Sequence, residues 1–249
     1  MYVFPMAGLS RRFTEAGFTV PKFMLPAGSM NLFQHSVYGF RDAFADEKFL
    51  FVYLGATCSE EFILESSDAI GLRAENVKLA RLDNPTDGQA TTVARGLEVG
   101  GVSPDEPITI FNIDTIYSGF EQPDLSKFAN VAGYLDVFVG DGDHWSFVRP
   151  KHTDENIGEA LEVTEKVRIS NLCSSGLYQF ASAATFMNEF DAIRNRPVAE
   201  LQGHERYIAP LYNAMIQKGK TVVYRVMDAD NIKFSGTPAE YRHFLTQIA

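Results

Sequence analysis

The sequence predicts an α/β protein built on a largely parallel sheet with helices on both faces. Three observations carry that prediction. Two short segments, Lys48–Leu54 (KFLFVYL) and Pro107–Ile113 (PITIFNI), are nearly continuous apolar runs, as strands buried on both sides require. Between the apolar runs lie segments with helical spacing. Strand and helix patterns then alternate as β-α-β-α-β-α-β through residue 113, the pattern of parallel strands joined by crossover helices.

The elements follow in order. Tyr2–Met6 reads as a short strand, with Pro5 tolerated because it falls where the strand gives way to a loop. Asn31–Phe44 reads as a helix with Leu32, Phe33, Val37, Phe40 and Phe44 near one face. The run Lys48–Leu54 is the next strand. Ser59–Ile70 is a helix with Glu60 and Glu61 in its first turn. Val77–Leu82 is a strand, Gln89–Val99 a helix and Pro107–Ile113 a strand. The second half is mixed. Gly133–Val139, Ser146–Pro150, Ala160–Thr164, Ser175–Phe180 and Thr221–Met227 read as strands. Ala184–Ile193, Glu205–Lys218 and Pro238–Ile248 read as helices, the last with Pro238 in its first turn.

The chain has 249 residues, 45% of them hydrophobic and 22% charged, which permits a sizeable core. Its 20 phenylalanines are most simply core. A net charge of −10 argues against a nucleic-acid partner. No apolar run approaches the roughly 18 residues of a membrane span, and no basic start precedes an apolar stretch. The expectation is a cytoplasmic protein without membrane insertion. Cys58 and Cys173 have no metal-ligand spacing and read as reduced thiols.

The chemistry concentrates in Met6–Phe23, where Gly8, Ser10, Arg11, Arg12 and Lys22 crowd a turn that follows the first strand. That loop lies at the carboxyl end of the strands, where open α/β sheets bind ligands. A glycine turn presents N–H groups to phosphate oxygens, an arginine grips phosphate bidentately, and a lysine adds a mobile charge. Neither GxxxxGK[ST] nor GxGxxG is present. On chemistry alone, a solvated basic loop explains the segment as well as a polyphosphate site does.

Ala7-Gly8-Leu9-Ser10-Arg11-Arg12 followed by Pro21-Lys22 resembles the signature of the sugar-phosphate nucleotidyltransferases, A-G-x-G-[TS]-R and then P-K, including variants from capsule and lipopolysaccharide pathways. Ser10 stands at the second glycine, which requires that its φ be negative. The resemblance implies a Rossmann-like three-layer sandwich with a mixed, mostly parallel sheet. It implies a single domain over 1–249, with a nucleotide-binding half over about 1–130 and an acceptor-binding half over about 131–249. Ala7, Gly8, Leu9 and Ser10, with Arg12 and Lys22, would hold a nucleoside triphosphate. Asp87, Gly88 and Gln89, within Asn84–Ala90, resemble the base-recognition segment. Asp114, in Asn112-Ile113-Asp114-Thr115 at a strand end, would bind Mg2+; read alone, it also suits a loop cap.

The order of Trp145-Ser146-Phe147-Val148, Glu165-Lys166 and Ser175-Gly176-Leu177-Tyr178 resembles the family's acceptor segments. Trp145, Glu165, Lys166, Ser175 and Gly176 would then bind a phosphorylated acceptor, with Lys166 on its phosphate and Glu165 on a hydroxyl or amine. Taken singly, Glu165-Lys166 is a solvated surface pair. One departure stands out. Family members often carry a second metal-binding aspartate two residues before a late Gly-Thr; here Phe234 takes that place before Gly236-Thr237, leaving Asp228 or Asp230 as substitutes.

The implied activity is nucleotidyl transfer from a triphosphate, CTP first and then UTP or dTTP, to a phosphorylated sugar or other small phosphate, with release of pyrophosphate, in surface or capsular polysaccharide biosynthesis. The alternative is a glycosyltransferase of related fold, with Asp141-Gly142-Asp143 or Asp228-Ala229-Asp230 as a metal pair. A third reading, a binding subunit without activity, rests on Ser10 and Phe234 alone. His204-Glu205 begins like HExxH, but Ile208 replaces the second histidine and excludes a zinc motif.

Overall fold

The computed structural model describes residues 1–248. The strands, in chain order, are β1 (Tyr2–Pro5), β2 (Pro26–Ala27), β3 (Met30–Asn31), β4 (Phe49–Leu54), β5 (Val77–Leu82), β6 (Ile108–Phe111), β7 (Thr115–Tyr117), β8 (Val131–Val139), β9 (Ser146–Pro150), β10 (Ile157–Glu165), β11 (Leu172–Phe180), β12 (Thr221–Val226) and β13 (Ile232–Phe234). The helices are α1 (Arg11–Glu15), α2 (Leu32–Tyr38), α3 (Glu60–Asp68), α4 (Gln89–Val99), α5 (Ala183–Ile193), α6 (Leu211–Gln217) and α7 (Pro238–Gln247).

Nine strands form one sheet in the order β5-β4-β1-β6-β11-β8-β12-β10-β9. The pairings leave β10 and β11 opposed to the other seven, so the sheet is mixed and mostly parallel. Alternation along the strands sends neighbouring residues to opposite faces. Val3, Leu50 and Val52 pack with Val93 and Leu97 of α4, Phe186 and Phe190 of α5 and Met215 of α6. Phe4, Phe49 and Phe51 pack on the other face with Phe33 and Val37 of α2 and Ile63 of α3. Pro5 is the last residue of β1, opposite Val52 of β4, and the ladder resumes beyond it with Met6 N–H donating to Val52 O at 2.7 Å.

Three expectations are corrected. The acceptor half departs from the expected three-layer sandwich: β9 curls back onto β11 at Phe147 and Cys173, so β11, β8, β12, β10 and β9 close into a five-stranded ring. Register shifts in β10 between Ala160 and Glu162, and in β11 between Ser174 and Tyr178, bend these strands. The helix expected over Asn31–Phe44 stops at Tyr38: the backbone leaves the helical region at Phe40, with φ −107° and ψ 20°, after Gly39 has let it pass close to β7, where a Cβ would sit 3.0 Å from Tyr117 O. The helix expected over Glu205–Lys218 begins only at Leu211, since Pro210 has no N–H to continue a helix from further back. Residues 201–207 form instead an irregular segment around a tight turn at Gln202–His204.

Two smaller features bring the ends of the chain to the site. The antiparallel pair β7 and β13 runs alongside Asp114, with Phe234 opposite Thr115. Helix α7 packs Tyr241 and Phe244 against Phe13, Leu25 and Leu32, which anchors the segment carrying Arg12 and Lys22.

Candidate active site

The loop after β1 turns at Ser10 with φ 50° and ψ 34°. The requirement of a negative φ there is therefore overturned: Ser10 adopts the left-handed conformation that the signature's second glycine adopts freely. The turn is fixed from both sides. Ser10 O accepts from Phe13 N–H at 2.8 Å and Thr14 N–H at 3.1 Å, and Ser10 Oγ accepts from Lys22 N–H at 3.3 Å. The short helix α1 then buries Phe13 and leaves Arg11 and Arg12 exposed.

Two adjoining cavities meet along this loop. One, of about 590 Å3, is lined by Ala7, Gly8, Leu9, Ser10, Asp87, Gly88 and Gln89. Lys22 lines this cavity too, whereas Arg12, also expected to hold the triphosphate, does not. The other, of about 910 Å3, is lined by Trp145, Glu165, Lys166, Ser175 and Gly176, together with Arg12. Ser10, Lys22, Gln89, Asn112, Asp114 and Tyr207 line both.

At the junction, Lys22 Nζ pairs with the Asp114 carboxylate. Asp114 follows β6 and is fixed through its carbonyl, which accepts from Ser235 N–H at 2.8 Å and Ser235 Oγ at 3.1 Å. Asn112, two residues earlier, accepts a hydrogen bond from the Gln89 side chain, and its N–H donates to Gly176 O at 3.1 Å. Gly176 has φ 94°, and a Cβ there would lie 2.5 Å from Asn112 Nδ2. Only glycine lets the bulged part of β11 approach this closely.

Gly88 faces a similar constraint: its φ is 152°, and a Cβ there would lie 2.5 Å from the Arg206 backbone N. Arg206 is buried, and its guanidinium pairs with Asp87. Asp87 therefore presents to the cavity a carboxylate already engaged by the chain.

On the acceptor side, Glu165 is only 5% exposed. Ser146 Oγ donates to it at 2.5 Å, and Lys166 Nζ lies 4.0 Å away. Burial pushes the Glu165 carboxyl above its ordinary value, with Ser146 and Lys166 pulling it back. Lys166 Nζ donates to the Tyr207 hydroxyl and lies 4.4 Å from the Tyr207 ring centroid. Ser175 is held below the cavity floor by Tyr117, whose hydroxyl also bonds Asp136. Asp136 is fully buried and bonded by Arg225 Nε at 2.8 Å and Nη2 at 2.6 Å.

Phe234 does not leave a gap. It packs 4.7 Å from Trp145 and 5.3 Å from Phe138, making an aromatic wall on the second cavity. Trp145 Nε1 donates to Asp141 O at 3.0 Å. Asp228 and Asp230 are not brought to Asp114. Asp228 caps the turn before β13, accepting from Asp230 N–H at 3.0 Å. Asn231 O meets Ser118 N–H at the far end of the β7–β13 pair. Four residues of strand, roughly 13 Å, separate that end from Asp114. The carboxylate that does approach is Glu240 of α7. A Cβ on Gly236 would lie 3.0 Å from Asp114 Oδ2 and 3.4 Å from Glu240 Oε2.

Among the described residues no group of three or more His, Cys, Asp or Glu forms a metal cage. One or two carboxylates beside a phosphate site are the donor set that Mg2+ uses, with phosphates and water completing its shell. Asp114 with Glu240 fits that description. Neither Asp141-Gly142-Asp143 nor Asp228-Ala229-Asp230 lines either cavity, so the glycosyltransferase alternative loses its metal pair.

Sequence reasoning passed over Asn112, Tyr207 and Glu240 as site residues. Asn112 adjoins Asp114 at the strand end and was within reach. Tyr207 was hidden inside a helix that Pro210 forbids. Glu240 reads locally as the third residue of a capping box with Thr237, a role it also fills.

No protein-family model matches the chain, and no curated protein sequence matches it. Solved structures do. The nucleoside-diphosphate-sugar pyrophosphorylase from Vibrio cholerae RC9 is 41% identical, with a TM-score of 0.91, over 99% of this chain and all of that one. A UDP-glucose pyrophosphorylase complexed with UDP-glucose is 16% identical with a TM-score of 0.75, over 99% of this chain and 97% of that one. A putative glucose-1-phosphate thymidylyltransferase from Bacillus anthracis is 15% identical with a TM-score of 0.74, over 99% and 94%. These last two establish the fold, and the first, over its whole length, establishes descent. The chain belongs to the nucleoside-diphosphate-sugar pyrophosphorylase family of nucleotidyltransferases.

Proposed function

We propose that the protein transfers a nucleotidyl group from a pyrimidine nucleoside triphosphate, CTP first and then UTP or dTTP, to a phosphorylated sugar or similar small phosphate, for capsular or surface polysaccharide biosynthesis. The observation that carries the reading is the Lys22–Asp114 pair on the wall shared by the two cavities. A reaction that joins two phosphates needs its cationic and metal-binding groups at such a junction. A pyrimidine suits a base pocket backed by Gly88, and the structural relatives include complexes or names with UDP-glucose, UTP and thymidylyl transfer.

An oxygen of the acceptor phosphate attacks the α-phosphorus. The bond from that phosphorus to the bridging oxygen of the β-phosphate breaks, and pyrophosphate leaves. The attacking oxygen is already anionic, so no protein nucleophile is required, and catalysis is positioning plus charge neutralisation. Arg12 neutralises the leaving pyrophosphate, Lys22 the α-phosphate, and Lys166 orients the acceptor phosphate. Glu165 accepts a hydrogen bond from an acceptor hydroxyl or amine. Asp114, with Glu240 beside it, would hold Mg2+, which would supply further charge neutralisation.

Arg12→Ala is expected to lower kcat at least ~100-fold, the loss typical of a removed charge stabiliser; near-normal turnover would take Arg12 out of the reaction. The first test is thermal unfolding with each nucleoside triphosphate, with and without Mg2+, beside diphospho-sugars. Ligand at about 100 times its Kd stabilises by about 2.7 kcal/mol. A shift for one pyrimidine triphosphate, followed by pyrophosphate release with acceptor phosphates, supports the reading. A shift for diphospho-sugars with no pyrophosphate-linked reaction in either direction refutes it.

A further inference from the structure

The segment 201–207 is bound at one end to the nucleotide cavity and at the other to the acceptor cavity. Toward the nucleotide side, Arg206 N–H donates to Asp87 O at 3.2 Å, Arg206 O accepts from Ala90 N–H at 2.8 Å, and the Arg206 guanidinium pairs with the Asp87 carboxylate. The guanidinium is anchored further by Arg196 O at 2.6 Å and Ile193 O at 3.3 Å. Toward the acceptor side, Gln202 Oε1 accepts from Glu165 N–H at 2.9 Å, and the Tyr207 hydroxyl accepts from Lys166 Nζ. Lys166 has φ 56° and His204 φ 58°, so both turns sit in conformations that side-chain-bearing residues adopt at a cost. Such turns stay in place only where their contacts hold them.

Glu165 and Lys166 line only the acceptor cavity, and Asp87 and Gly88 only the nucleotide cavity. The segment is thus a physical bridge between groups that bind different substrates. A ligand that fixes one end lowers the cost of fixing the other.

We infer that residues 201–207 act as a strap through which an occupied nucleotide cavity orders the acceptor-binding turn, with Gln202 and Tyr207 as positioning residues for Glu165 and Lys166. The inference rests on the nucleotide reading above and adds to it the residues through which the two cavities are coupled.

Amide hydrogen exchange tests this without knowledge of the acceptor. The probe is CTP with Mg2+, and then UTP and dTTP, at saturation with the wild-type chain. Exchange is expected to slow at residues 8–12 and 87–90, where nucleotide binds, and also at least about fivefold at residues 163–168, the lower end of typical site-to-site coupling. In the double variant Gln202→Ala/Tyr207→Phe the slowing at 8–12 and 87–90 is expected to persist while that at 163–168 disappears. Tyr207→Phe alone, which keeps the ring, is expected to lose part of it, and exchange in β1 and β4 reports whether either variant is intact. Slowing confined to 8–12 and 87–90 in the wild type overturns the strap, as does slowing at 163–168 that survives in Tyr207→Phe and the double variant. No slowing anywhere with any of the three nucleotides refutes the nucleotide reading itself, and the strap with it.

Discussion

Ser10 carries a left-handed backbone at the centre of the phosphate loop, a conformation that costs a side-chain-bearing residue about 1–2 kcal/mol. Replacing it with glycine removes that cost. It also adds entropy to the unfolded chain, about 0.4–1 kcal/mol, and gives up the 3.3 Å bond from Lys22 N–H. Ser10→Gly is therefore expected to stabilise the protein slightly, by about 0.5 kcal/mol, as measured by urea unfolding; a loss above about 1 kcal/mol would show that the hydroxyl matters more than the strain. Glu165 is the second residue whose environment sets its behaviour. Burial raises its folded-state pKa, so the folded chain holds that proton to higher pH than the unfolded chain does. Stability from this group is then greatest at low pH, falls as pH rises from the ordinary carboxylate value to the raised one, and is level above it. Glu165→Gln is expected to flatten that fall, and unfolding midpoints between about pH 4 and 7 would show it. Trp145, the only tryptophan of the chain, lines the acceptor cavity and offers a fluorescence signal for its occupancy.

At the scale of elements, the Asp87–Gly88 turn and the strap meet in close backbone contact. Gly88→Ala would drive a Cβ into the Arg206 backbone. Overpacking of this kind costs about 1–3 kcal/mol, and each step of about 1.4 kcal/mol is a factor of ten in binding. The variant is expected to bind nucleotide about tenfold more weakly or worse by calorimetry, while unchanged affinity would mean that the strap moves aside freely. The parallel strands β4 and β6 were legible in the sequence, because burial on two faces writes continuous apolar runs such as Phe49–Leu54, and β1, β5 and α4 followed from their alternation with those runs. The strap was not. It has no periodicity, and its position comes from Arg206 reaching Asp87 and from Tyr207 reaching Lys166, partners far away in the chain. The ring closure was equally hidden: Phe147 and Cys173 look like any strand residues, and only the bulges near Glu162 and Gly176 bend β10 and β11 enough to bring β9 round. Site residues in short motifs, such as Gly8, Lys22 and Asp114, were readable because their order along the chain survives folding. Glu240 became visible only through contact.

In the whole molecule, the two halves share one sheet, and the seam between β6 and β11 runs directly under the junction of the cavities. Beneath the acceptor cavity, Asp136 of β8 and Arg225 of β12 face each other in register and are joined by two hydrogen bonds. Breaking a buried pair by neutralising one partner leaves the other charge unmatched, at about 3–5 kcal/mol. Asp136→Asn is expected to lose stability of that order in chemical unfolding, whereas a loss below about 1 kcal/mol would show that Arg225 finds another acceptor. Closing β9 onto β11 also covers one margin of the nine-stranded sheet, so that among the described residues β5 alone remains as an open one. On this sheet a foreign strand seeking backbone partners has a single landing place, residues 77–82. There it meets Lys78 and the exposed Arg81, charges of the kind that discourage strands from joining edge to edge. The same closure that shapes a pocket for a small phosphate thus also guards a broad, phenylalanine-rich sheet against aggregation.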